Sequence, residues 1–186
     1  MIKTVGEHWV CATLARYNWA PALTRDGIAR TDILAVATYL VTRPTVEIQV
    51  KAATDVGAHT SWPLPGVTEL LDASGHEWFV FVLLPKVPAV PRAFVVPRDH
   101  VSAATWIAHE NWRTDPSVPE GRRNAPLSRA RIGLDIWQGY EDRWDLLGTP
   151  TGTVSVLLPS WLRQRCQEER VGLPPGHPWN NDLPVW

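Results

Sequence analysis

The segment TVEIQVKAA, residues 45–53, constrains the fold most strongly because polar and apolar residues alternate in it from Thr45 to Lys51. Successive side chains of a β-strand point to opposite faces of the sheet. The pattern therefore predicts a strand with one buried face and one polar face. The buried face would hold Val46, Ile48 and Val50, and the polar face would hold Glu47, Gln49 and Lys51.

The segments around this strand predict an α+β domain with a mixed central sheet, an N-terminal helix and C-terminal helices. Residues 1–148 are predicted to form the main domain, and residues 149–186 a C-terminal extension that ends in a Pro-rich tail, either disordered or held by Trp179 and Trp186. The expected elements are a helix over 3–17, a hairpin over 20–40 with an Asp26-Gly27 turn, strands over 45–53, 76–84 and 92–97, a helix over 99–112, a helix from Ser128 to about Leu147, a strand over 153–158 and a helix over 160–170.

Composition excludes several classes of protein. The formal net charge of −1 gives no global attraction to nucleic acids or membranes, so a polyanionic partner would have to meet a local basic patch. The two cysteines form neither a metal-binding spacing nor a disulfide framework, which fits a reducing compartment. No apolar run approaches the roughly 18 residues that a membrane span needs. We therefore expect a cytoplasmic protein.

The candidate catalytic residues occur in the order Glu7, Asp32 and Gln49-Val50-Lys51. Glu7 lies on the predicted first helix, Asp32 at the start of a predicted strand, and the other three on the alternating strand. These residues lie in the words VGEHWVCATLARYNWAPALTRDGIARTDILAVA and VEIQVKAA. They resemble the PD-(D/E)XK phosphodiesterase superfamily, which includes restriction-type nucleases and archaeal Holliday-junction resolvases. The resemblance extends over about residues 4–148, through HEWFVFVLL, AFVVP and YEDRWDLL.

The resemblance implies a metal-dependent nuclease that acts on DNA in preference to RNA and uses Mg²⁺ or Mn²⁺. Asp32 would be the main metal ligand, with the Gln49 side chain and the Val50 carbonyl assisting. Lys51 would be the catalytic lysine, and Glu7 an outer-sphere or second-metal ligand. Many nucleases of this class act as dimers, so a homodimer stays open as an assembly, although the sequence carries no dimer signature.

Elementary chemistry supports such a site independently. Phosphodiester cleavage places charge on phosphate oxygens and on the leaving alkoxide, and a divalent cation offsets that charge and lowers the pKa of a bound water. Oxygen ligands suit Mg²⁺, which needs few protein ligands. A neighbouring lysine can orient the water or stabilise the transition state.

Two positions depart from the family pattern. Thr31 precedes Asp32 where the motif has proline, which matters little in so degenerate a motif. Gln49 stands where the motif usually has Glu or Asp, so metal should bind more weakly, and Glu47 on the same face is a candidate for the missing charge. An inactive nuclease-fold protein that binds nucleic acid or a protein partner, as an inhibitor or immunity protein does, therefore stays open as the second interpretation.

The connection between the second and third strands tests the site. If Arg43-Pro44 formed a two-residue turn, Thr38 would pair with Gln49, and Asp32 would lie roughly 13 Å too far along the strand, at ~3.3 Å per residue. A wider connection over about residues 39–44 would instead place Asp32 opposite Gln49. We predict the wider connection.

A basic cluster and an aromatic residue are candidates for nucleic-acid contact. The cluster consists of Arg122, Arg123, Arg129 and Arg131, and its other interpretation is a solvated loop paired with Glu120 or Asp135. Trp62 is a candidate for stacking on a base, against the alternative of core packing.

Other catalytic classes find no support. The histidines lack the pairing of a zinc site. No Gly-rich phosphate loop follows a strand, and no G-x-S-x-G elbow is present.

Overall fold

The structure is a computed structural model that describes residues 1–25, 30–64, 71–119 and 121–186. The predicted Asp26-Gly27 turn therefore lies outside the described residues. The helices and strands of the described part are α1 Ile2–Arg16, β1 Trp19–Leu23, β2 Ile33–Ala37, β3 Thr45–Thr54, β4 Ser61–Pro63, β5 Glu77–Leu84, β6 Arg92–Pro97, α2 Arg98–Arg113, β7 Arg131–Gly133 and α3 Ser160–Cys166.

Within the described ranges, the main sheet has five strands in the order β1-β2-β3-β5-β6. The pair β3–β5 is parallel, and the pairs β1–β2, β2–β3 and β5–β6 are antiparallel. A second, two-stranded sheet pairs β4 with β7. This mixed sheet, with a helix before it and helices after it, confirms the predicted α+β class.

Each face of the main sheet carries its own core. On one face α1 packs through Val10 and Leu14 against Val46, Ile48 and Val50 of β3. On the other face α2, the β4–β7 pair and the C-terminal residues cover β5 and β6. The central strand β5 is buried along all but its last residue, which explains why its sequence is apolar without alternation.

The helix predicted from Ser128 to about Leu147 is wrong. The chain there forms β7 and three short 3₁₀ segments over residues 127–129, 134–140 and 144–148. A 3₁₀ turn repeats every three residues, so successive turns bury apolar residues at a spacing close to that of an α-helix. Gly139 also lies where an added Cβ would come 2.4 Å from the Leu157 carbonyl oxygen.

Residues 149–186 pack onto the core of the main sheet. Val156, Leu158 and Leu162 join the cluster that contains Phe79 and Phe81. The strand predicted over 153–158 is wrong, because that segment is irregular with a 3₁₀ turn, whereas the helix after it is confirmed as α3.

The C-terminal tail is held in place by its aromatic residues. The Trp179 and Trp186 rings lie 5.2 Å apart between centroids. His177 is buried and its Nε2 lies 2.9 Å from the Asp99 carbonyl oxygen. In the described ranges, no helix combines the length and hydrophobicity that crossing a membrane would require.

Candidate functional site

The pairing of β2 with β3 sets the position of Asp32. Ile33 pairs with Ile48 and Val36 pairs with Thr45. The Asp32 nitrogen donates a hydrogen bond of 2.9 Å to the carbonyl oxygen of Ile48, which is the partner of Ile33, so the regular ladder ends here and Asp32 lies beside this part of β3. The wider connection between the strands is thereby confirmed, and the two-residue turn is excluded.

Strand β3 extends beyond the end of its pairing with β2. Among the described residues, the β2 pairing stops at Ile33–Ile48, whereas β5 pairs with β3 as far as Thr54. The Asp32 carboxylate occupies the start of the gap, because its Oδ2 accepts a hydrogen bond of 2.8 Å from the Val50 nitrogen. The N–H and C=O of one strand residue point to the same side, so the Val50 carbonyl also points toward this gap.

Helix α1 brings Glu7 to the same place. Gly6 lets the helix approach β3 closely, because an added Cβ would come 2.7 Å from the Ala52 Cβ. The Lys3 ammonium lies 3.3 Å from Glu7 Oε1 and 3.6 Å from Asp32 Oδ1. Both carboxylates are therefore within reach of one cation.

Lys51 lies one residue beyond Val50, on the polar face of β3. Burial lowers the pKa of Lys51, and the charges of Arg98 and Lys3 lower it further, while the Asp32 charge partly raises it. The lysine is thus electrostatically coupled to Asp32, and its ammonium is poorly solvated. A poorly solvated ammonium interacts strongly with an anion that enters its surroundings.

Gln49 contacts a charge network that the sequence did not predict. Arg98, at the first position of α2, is almost fully buried, and its Nη2 donates to Gln49 Oε1 at 3.3 Å and to the Arg30 carbonyl oxygen at 2.8 Å. Burial lowers the pKa of Arg98 to about 10, and the Glu77 charge opposes that change.

Glu77 compensates the buried guanidinium. Glu77 Oε2 lies 2.8 Å from Arg98 Nε and accepts a hydrogen bond of 2.7 Å from Arg30 Nη2. The Arg98 guanidinium also lies over the Phe79 ring at 4.6 Å. The sequence signals for this network were a glutamate at the start of the apolar run of β5 and an arginine directly after β6.

Glu47 is held by the residue before Asp32. The Thr31 hydroxyl donates a hydrogen bond of 2.9 Å to Glu47 Oε2. Thr31 therefore supplies a contact to Glu47 that a proline at this position would lack. Glu47 lies next to the site on the same strand face, with one oxygen already hydrogen-bonded.

Two arginines of the basic cluster contact residues other than those of the candidate site. Arg131 donates to the oxygens of Ser61 at 3.0 and 2.8 Å, and Arg123 donates to Asp115 at 3.0 Å and to the Trp112 carbonyl oxygen at 2.9 Å. Arg122 and Arg129 are exposed. Glu120, a predicted partner, lies outside the described residues.

Trp62 is unsuited to stacking on a base, which corrects the prediction of nucleic-acid contact. The residue is fully buried and packs against Phe81 and Phe94, with ring centroids 5.4 and 6.1 Å away. Its place in the short β4–β7 pair turns the indole into the core.

The chemistry of the donors at the gap suits a hard cation. No cluster of three His, Cys, Asp or Glu side chains able to hold a metal is found in the part of the chain that the structure describes. Two carboxylates, the Val50 carbonyl and the Gln49 amide oxygen are nevertheless the oxygen donors that Mg²⁺ accepts. The Lys3 ammonium held between Glu7 and Asp32 indicates that the pair attracts positive charge.

No protein-family model matches the chain, and no curated protein matches it in sequence. Among solved structures, the chain is similar to Hjc, a Holliday junction resolvase from the archaeal hyperthermophile Archaeoglobus fulgidus. That likeness has a TM-score of 0.41 and 14% sequence identity, and it covers 72% of this chain and 90% of that chain.

Proposed function

We propose that this chain is a metal-dependent nuclease that hydrolyses DNA at the gap between β2 and β3. The observation that supports this most is the position of Asp32 beside β3, with its nitrogen on the Ile48 carbonyl oxygen and its carboxylate on the Val50 nitrogen. Val50 lies between Gln49 and Lys51 on β3, and Lys3 contacts both Asp32 and Glu7, which supports a site made of these residues.

In this proposal, Asp32, the Val50 carbonyl and the Gln49 amide oxygen hold Mg²⁺ or Mn²⁺, and Glu7 acts as an outer-sphere or second-metal ligand. The bound metal would offset the charge of the phosphate oxygens and lower the pKa of a water. Asp32 is oriented by the Val50 N–H, so one of its oxygens stays directed into the gap. Glu7 adds negative charge there.

Lys51 acts on the phosphate in this scheme. Its partly buried ammonium would donate hydrogen bonds to a non-bridging phosphate oxygen and hold the attacking water in line. The charge that develops on phosphate in the transition state would strengthen those bonds. The low local solvation that lowers the pKa of Lys51 increases their contribution.

A second candidate is an inactive nuclease-fold protein that binds nucleic acid or a protein partner. The contact between Arg98 and Gln49 favours it, because a buried guanidinium beside a neutral amide weakens the attraction for a metal. Exposed Arg122 and Arg129 would then contribute phosphate contacts, and so would Arg123 and Arg131 after exchanging their protein partners.

The remaining parts of the proposal concern the setting of the reaction. We place the activity in residues 1–148, treat residues 149–186 as an extension, and assign the protein to the cytoplasm. DNA is the preferred substrate over RNA. A homodimer would present two sites to the two strands of a duplex.

Cleavage assays discriminate between the two functions. Plasmid, single-stranded and branched DNA are incubated with the protein and Mg²⁺ or Mn²⁺, beside Lys51→Met and the control Lys86→Met, which removes an exposed lysine. The nuclease proposal predicts cleavage that EDTA and Lys51→Met abolish and that Lys86→Met leaves intact. Salt-sensitive DNA binding without cleavage would support the second function. Absence of both DNA binding and cleavage would leave the protein-binding form of the second function.

A further inference from the structure

Lys3 stands out because it contacts both acidic residues of the candidate site. Its ammonium lies 3.3 Å from Glu7 Oε1 and 3.6 Å from Asp32 Oδ1. The Glu7 and Asp32 side chains are only 14% and 19% exposed, whereas the Lys3 side chain is 60% exposed. A long, solvated side chain therefore delivers a positive charge to two carboxylates that are largely withdrawn from water.

The backbone fixes this arrangement. Lys3 and Glu7 are four residues apart on α1 and so project from the same side of the helix. The close approach of α1 to β3 at Gly6 brings that side of the helix to Asp32. Rotation of the lysine side chain can move the ammonium away while the helix stays in place.

We infer that Lys3 is a resident cation of the site, which neutralises Glu7 and Asp32 until a divalent metal displaces it. This inference rests on the proposed function, since it concerns the same two carboxylates. Lys3 is in this view a residue that sets the affinity for metal, distinct from the groups that act on the phosphate. Its contacts with the carboxylates are lost when the metal binds, so they weaken metal binding by the same amount as they stabilise the metal-free site.

Titration calorimetry with Mn²⁺ alone measures this effect without any cleavage step. Lys3→Met keeps the apolar stem and removes the charge, so we expect Mn²⁺ to bind about 3- to 10-fold more tightly than to the unmodified protein. Lys3→Arg keeps the charge and should stay closer to the unmodified protein than Lys3→Met does. Equal or weaker binding by Lys3→Met would overturn the inference.

Arg16→Met is the matched control, because it removes one positive charge from the exposed last turn of the same helix. Arg16 lies roughly 20 Å along the helix from Lys3 at ~1.5 Å per residue. That separation exceeds the Debye length of about 8 Å at 0.15 M salt. A change of affinity in Arg16→Met as large as that in Lys3→Met would attribute the effect to net charge and contradict the inference.

Thermal unfolding supplies a second measurement. In EDTA, Lys3→Met should unfold at a lower temperature than Arg16→Met because the two carboxylates then repel each other, and excess Mn²⁺ should remove that difference. An unchanged difference in Mn²⁺ would count against displacement. Failure of the proposed metal site would give a different result: the single variant Asp32→Asn would bind Mn²⁺ as tightly as the unmodified protein does.

Discussion

Asp32 Oδ2 accepts a hydrogen bond of 2.8 Å from the Val50 backbone nitrogen, while Asp32 Oδ1 lies 3.6 Å from the Lys3 ammonium. The first contact orients the carboxylate on the strand, and the second shows that Oδ1 is the oxygen that faces the Lys3 ammonium. One side chain thus joins the start of β2 to the edge of β3 at Val50 and to α1.

The variant Asp32→Asn should separate these two roles. Its amide oxygen can still accept the Val50 N–H, so the temperature of unfolding should change little. The loss of formal charge should reduce metal-dependent cleavage at least about 100-fold, equivalent to roughly 2.7 kcal/mol. Cleavage kinetics and thermal unfolding measure the two effects.

Asp55→Asn is the control, because Asp55 Oδ1 likewise accepts a backbone hydrogen bond, 2.8 Å from the Gly57 nitrogen, just after β3 ends. It should leave cleavage unaffected. Equal losses in the two variants would show that Asp32 serves the backbone alone.

Gln49→Glu should strengthen metal binding. The new carboxylate adds the charge that the amide lacks and can pair with Arg98, which already donates to the Gln49 oxygen at 3.3 Å. We expect Mn²⁺ affinity, measured by calorimetry, to rise about tenfold, which corresponds to roughly 1.4 kcal/mol. Gln138→Glu, at an exposed position, controls for net charge. Unaltered affinity in Gln49→Glu would remove residue 49 from the ligand set.

Gly6→Ala should displace α1 from the sheet, because the new Cβ would come 2.7 Å from the Ala52 Cβ. The displacement separates Glu7 from Asp32, so cleavage and Mn²⁺ affinity should both fall, and the stability should fall by about 1–3 kcal/mol as in other overpacked cores. The double variant Gly6→Ala/Ala52→Gly removes the overlap and should recover most of both losses. Absence of recovery would show that the spacing between α1 and β3 does not control the site.

Protonation of His100 should destabilise the fold in acid. Burial lowers the pKa of His100 to about 3, and its Nδ1 lies 2.7 Å from the Tyr140 hydroxyl, which accepts a hydrogen bond from the Leu157 nitrogen. The folded state therefore takes up the proton less readily than the unfolded state, whose histidine has a pKa near 6.5. The stabilisation from neutral His100 is complete above about pH 6.5 and is lost as the pH falls toward 3.

Between pH 7 and pH 5 this loss amounts to roughly 2 kcal/mol of unfolding free energy, which His100→Gln should remove. Burial raises the pKa of Asp99 to about 6, and that group acts in the opposite direction over part of the same range. The comparison is therefore between denaturant titrations of His100→Gln and of His8→Gln, whose position is exposed. Identical pH profiles would contradict the assignment.

The strands of the main sheet could be predicted because their patterns are local. Alternation defined β3, a continuous apolar run defined β5, and the geometric requirement on Asp32 predicted the wider connection before β3. Each of these features depends on strand period and rise, which a sequence carries directly.

The errors share a different cause, since they depend on partners distant in sequence. For Trp62 the sequence left stacking and core packing open, and its pairing with Ile132 and its contacts with Phe81 and Phe94 confirm core packing. The apolar spacing after Ser128 suits both an α-helix and a series of 3₁₀ turns. The Arg98–Glu77 pair joins an arginine after one strand to a glutamate at the start of another, and no local pattern connects them.

A crystal grown with Mn²⁺ and measured for anomalous scattering tests the central claim most directly. The account predicts an anomalous peak about 2.0–2.2 Å from Asp32 Oδ1 and the Val50 carbonyl oxygen, with the Lys3 side chain turned away from both carboxylates. A Mn²⁺-saturated crystal without a peak at this position, or with Lys3 still between Glu7 and Asp32, would contradict it.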